Sequence, residues 1–98
     1  MSRLSGAAAL TASGDTTIMT AATGGASARV TVMNRDTVPH VYNFKIDDVE
    51  VDRSPSVPAG EKWIFGPENV TAGKTVKVTT PATTTNASTY NLTGEDDA

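Results

Sequence analysis

His40 is the single histidine of this 98-residue sequence, and there is no cysteine. Any nucleophilic or metal-assisted chemistry would therefore have to be assembled around one imidazole. A catalytic triad or a zinc site needs several converging groups, and no spacing around His40 supplies them. It reads as a solvated or hydrogen-bonded histidine at the start of a strand. The second chemical signal is an acidic row, Asp48, Glu50 and Asp52, with Asp47 beside it. At a spacing of two along a strand the three carboxylates share one side, a set of oxygens that calcium could use. The glycine-bearing loop of an EF-hand is missing, so the row reads instead as a solvated strand face that discourages edge pairing. Three Asn-X-Ser/Thr triplets, at Asn69, Asn86 and Asn91, match the glycosylation pattern, but in a chain whose commonest residue is Thr they follow from composition. No catalytic, cofactor-binding or metal-ligating residue is assigned, no cofactor is expected, and the protein is read as non-enzymatic.

Composition narrows the partners. The net charge is −3, and the cations Arg29, Arg35, Lys45, Arg53, Lys62, Lys74 and Lys77 are scattered among acids, whereas gripping nucleic-acid phosphates takes a basic patch. No stretch approaches the roughly 20 apolar residues of a membrane-spanning helix. The absence of cysteine favours assembly in a reducing cytoplasm. Hydrophobic residues make up 38% of the chain, and many of them are Ala, so one domain with a light core is expected.

The elements that carry these residues are strands. Residues 57–78 hold the same phrase twice, Val57-Pro58-Ala59-Gly60-Glu61 and Val70-Thr71-Ala72-Gly73-Lys74. Each is an Ala-Gly turn launching a strand, with Gly60 and Gly73 at the third turn position, where a type II turn needs positive φ. Large apolar residues then fall at every second place, Trp63 and Phe65 after the first turn and Val76 and Val78 after the second. Period two means a strand with one buried face. The same alternation puts Val30 and Val32 on the inner face of a strand over residues 28–34. It does likewise for Tyr42, Phe44 and Ile46 over 40–46, and for Tyr90 and Leu92 over 88–93. A further short strand is centred on Ile18, and Asp47-Asp48 makes a tight turn into one at 49–52.

Between these strands lie connections. Residues 66–69 read as a break containing Pro67, and 79–86 as a long hairpin loop. Residues 1–14, small and polar with single anchors at Leu4 and Leu10, read as a flexible amino-terminal arm; the apolar run at 7–10 is too short for a secretion signal. Residues 15–95 form the domain and 96–98 an acidic tail. The expectation is an all-β fold, a small β-sandwich or jelly-roll-like barrel of about seven short antiparallel strands. Ile64 points outward beside charged neighbours and, with Arg3, Leu4 and Leu10 of the arm, is the candidate partner interface.

Several segments resemble small β-sandwich accessory proteins of tailed bacteriophages. They are Thr16-Thr17-Ile18-Met19-Thr20-Ala21, Ala28-Arg29-Val30-Thr31-Val32-Met33-Asn34, Val57-Pro58-Ala59-Gly60-Glu61, the run from Asn69 to Val78, and the strand leading to Gly94-Glu95. The resemblance spans most of residues 16–95 in order. It implies a virion structural protein, a decoration or cement subunit that binds and stabilises the capsid exterior, with the major capsid protein or another virion protein as partner. A neck, tail or fibre position is the alternative it also allows. A small carbohydrate-binding or adhesive β-module is the competitor from another class and would expose aromatic residues. A homo-oligomer, a trimer, is expected, because a light core gains from burial between subunits.

Overall fold

Period-two alternation dominates the architecture. In the computed structural model, which describes residues 2–96, eight strands follow one another. They are β1 (Ser2–Ala9), β2 (Gly14–Thr20), β3 (Ala26–Met33), β4 (Asn43–Ile46), β5 (Val49–Arg53), β6 (Lys62–Val70), β7 (Thr75–Thr80) and β8 (Thr89–Asp96). They pair antiparallel into two four-stranded sheets, β1-β8-β3-β6 and β2-β7-β4-β5. The sheets stack as a β-sandwich, the all-β class expected from the alternation.

The core lies between the two inner faces. Val30, Val32, Phe65 and Leu92 from the first sheet meet Phe44, Val76 and Val78 from the second, all buried. The rings of Phe44 and Phe65 bridge the sheets with centroids 5.2 Å apart at a tilt of 35°, a favourable offset arrangement. Ile46, Trp63 and Tyr90 are partly buried against this cluster. Tyr42 is wholly enclosed, and its hydroxyl shares a 2.6 Å hydrogen bond with Ser88 Oγ. Burial pushes its pKa up.

Both repeated turns form as expected. Gly60 and Gly73 have φ of 80° and 79°, and the turns close through Glu61 N to Pro58 O at 3.1 Å and Lys74 N to Thr71 O at 3.0 Å. The two copies serve opposite sheets, the first leading into β6 and the second into β7. Asp47 and Asp48, at φ 53° and 66°, form the two-residue β4–β5 hairpin, whose right-handed twist favours positive φ at both positions.

Four expectations are corrected. Residues 2–9 are not a free arm: every residue of β1 is in register with β8, from Ser2 opposite Asp96 to Ala9 opposite Thr89. Residues 66–69 do not interrupt the chain, because β6 runs through them at the edge of its sheet, where the N–H that Pro67 lacks would have no outer neighbour to donate to. The ladder absorbs the irregularity as a register shift between Ala28 and Val30. The connection after β7 is a crossover between sheets rather than a hairpin loop, since β7 and β8 lie in different sheets. The strand expected at 40–46 begins only at Asn43, because Tyr42 turns its backbone to Ser54, with Tyr42 N bonded to Ser54 Oγ and Tyr42 O to Ser54 N, both at 2.8 Å.

Candidate functional site

Asn34, Asp36 and His40 form a buried polar cluster whose hydrogen-bond partners are internal. His40 Nε2 lies 2.7 Å from Asp36 Oδ2, both side chains enclosed. Asp36 also accepts backbone N–H bonds from Thr37 at 2.9 Å and Thr85 at 3.1 Å. Asn34 Nδ2 donates to the carbonyls of Val38 and Val57, each at 2.9 Å, and its Oδ1 accepts from Asp36 N. The His40 hydrogen bond, reinforced by these backbone donors, holds the Asp36 carboxyl down at about 2, so it is ionised across the ordinary pH range. A carboxylate with this many donors ties the 34–40 connection to the 81–88 crossover. It is a structural knot, in which the imidazole is bonded to Asp36.

The acidic row is divided. Asp48 sits in the hairpin turn, and a register shift leaves Val51 as an extra residue between Glu50 and Asp52, so the simple spacing of two no longer puts three carboxylates side by side. Three of the four acids then find separate cations, and Asp52 Oδ1 accepts from the backbone N–H of Arg53 at 2.8 Å. Asp48 meets Lys77 Nζ at 2.6 Å, Asp47 meets Lys74 Nζ at 2.9 Å, and Glu50 meets Arg53 Nη2 at 3.2 Å. The bond to Asp48 raises the pKa of Lys77. Among the described residues no group of three or more His, Asp or Glu is arranged to hold a metal ion.

The two outer faces of the sandwich differ in kind. On the β2-β7-β4-β5 sheet, Asp15 accepts from Thr79 Oγ1 and from Lys45 Nζ at 3.2 Å, and the Thr79 bond leads the causes that lower its pKa. With the Lys74, Lys77 and Arg53 pairs, that face carries a mesh of exposed, paired charge, while its β5 edge also exposes Val49 and Val51. On the β1-β8-β3-β6 sheet, register places Thr31 beside both Asn91 and Ile64, with Ala7 beyond Asn91. Ala7, Thr31, Met33, Thr89 and Asn91 line a shallow depression of about 610 Å3 with Lys62 at its rim. No carboxylate borders it. Ile64, next to it in the sheet, is 54% exposed.

The sequence-derived interface residues therefore separate. Ile64 points outward, as its place in the alternation requires. Arg3 is exposed on β1 opposite Glu95, at the far end of the same sheet. Leu4 is partly buried against the core. Leu10 is corrected: at 2% exposure it is a core residue, drawn in by the bond from its N–H to Ser88 O at 2.8 Å, and it is unavailable to a partner. Met33, Thr31 and the alanines of β1 were missed. Met33 had a signal, being the outward member after Val30 and Val32 in a clean alternation.

No family model matches the chain, and no curated protein matches it in sequence.

Proposed function

We propose that the protein is a non-enzymatic structural component of a tailed-bacteriophage virion, a decoration or cement subunit that binds the outside of the assembled capsid and has the major capsid protein as its partner. The observation that carries this reading is the contrast between the two outer faces. One is covered with paired charge; the other offers a shallow half-face of Ala, Thr and Asn that no carboxylate borders, with Lys62 at its rim and Ile64 exposed beside it. The Ala, Thr and Asn surface inside that rim loses little on desolvation and suits a protein partner. The net charge of −3 disfavours a place against packaged DNA. The turn-and-strand segments that resemble phage accessory proteins support the same assignment.

A carbohydrate-binding module is less well supported, since stacking on a sugar needs an exposed ring. Tyr42, Phe44 and Phe65 are buried, and Trp63 and Tyr90 are partly buried against the core.

Attachment of purified protein to particles that lack it tests the face. Ile64→Lys should weaken attachment about tenfold or more, because a buried apolar side chain of this size is worth roughly 1.5–3 kcal/mol, while leaving the melting temperature unchanged. Equal attachment by the variant would remove this face from the interface.

A further inference from the structure

The sandwich has four sheet edges, and three of them are interrupted. On β5 the register shift at Val51 breaks the line of backbone groups, and a two-fold axis there would set Glu50 against Asp52 of the other copy, which repel. On β6, Pro67 has no N–H to offer and a second register shift lies alongside. On β2 the ladder shifts between Thr17 and Met19. β1 is different: its register is unbroken for all eight residues, it contains no proline, and from Leu4 to Ala9 it carries no charge. A long, flat, uncharged edge with unpaired N–H and C=O groups is a template for another strand.

We propose that β1 is the seam of a two-fold dimer, in which β1 of one copy pairs antiparallel with β1 of a second copy of this chain and the two four-stranded sheets become one sheet of eight. Leu10 N bonds to Ser88 O. By antiparallel alternation the backbone groups of Leu4, Gly6 and Ala8 therefore also turn towards β8, and those of Arg3, Ser5, Ala7 and Ala9 turn outward. Overlap of residues 3–9 with the same residues of the copy centres the axis on Gly6. In that register the outward residues meet outward residues, Arg3 with Ala9 and Ser5 with Ala7, so no like charges oppose one another. Leu4 and Ala8 face each other across the seam on the core side, where Ala8 is exposed in the single chain, and beside Gly6 there is open space for the approach. Charge compatibility under the two-fold is what selects a second copy as the occupant. A closed ring of three would have to set β1 against a different edge of the next copy, and each of those is interrupted. Joining the sheets also makes the carboxylate-free outer half-faces neighbours across the seam. The inference stands whether or not the virion assignment does.

Sedimentation of the full chain over a range of concentrations tests this. The unmodified protein should reach twice the monomer mass. Ala7→Pro removes an outward N–H and spares the ladder to β8, so it should weaken dimerisation about tenfold or more with an unchanged circular dichroism spectrum. Ser5→Lys combined with Ala7→Lys puts like charges opposite one another and should give monomer, whereas Ser5→Lys combined with Ala7→Glu puts opposite charges there and should restore the dimer. A monomer at every concentration, a trimeric mass, or a dimer indifferent to both the proline and the double-lysine variants would overturn the proposal.

Discussion

Phe44→Ala is expected to lower the free energy of unfolding by about 3–5 kcal/mol, the usual cost of emptying a well-packed aromatic site. Phe44 is fully buried, and its ring spans the gap between the sheets to Phe65, so the cavity would open at the one place where the two layers hold each other through aromatic contact. The core around it is rich in Val, which is stiff at χ1 and cannot swing in to fill the space. For a domain whose total stability is on the order of 5–15 kcal/mol, that loss would shift the denaturant midpoint far down. An unchanged midpoint would mean that the ring does not lie between the sheets.

Gly94→Ala should cost about 3 kcal/mol or more, by a different route. Gly94 sits in β8 opposite Ala28 and Leu4, with φ of 139°, a backbone region that side chains rarely tolerate. A Cβ there would overlap the carbonyl oxygen of Ser27 and crowd the Cα of Ala28 at 3.2 Å. Both obstacles are backbone of the adjacent strand β3, so relief would require breaking the ladder that joins β8 to β3. Thermal unfolding measures the loss. A variant that melts with the unmodified protein would show that the two strands have freedom to part at this point.

The contrast between these two positions marks what was legible beforehand. Phe44, like Val30, Val32, Phe65, Val76, Val78 and Leu92, belongs to a period-two series, and a series of that kind announces both strand and inner face before any partner is known. Gly94 lay just past the end of the strand expected over 88–93. Its constraint comes from strands β3 and β1 on either side, which are distant in the chain. β1 was illegible for a related reason. An edge strand of Ser, Gly and Ala sends little more than Leu4 towards the core, so it is held by backbone bonds to β8 and leaves no hydrophobic rhythm. The same holds for the Asp36–His40 pair, which lies in a connection without periodicity and owes its burial to Val57 and to the 81–88 crossover. Of the candidate surface, Ile64 was readable from its odd place in an alternating strand. The carboxylate-free half-face was not, because it needs residues from four strands to be brought side by side.

The location of the protein in intact virus particles tests the central claim most directly. A cryo-electron microscopy map of the particle should place many copies over the capsid exterior, with the outer face that carries Ile64 against the shell and the ion-paired face turned to solvent. A few copies confined to one vertex would move the protein to the neck or tail, and a particle without it would contradict the virion assignment altogether.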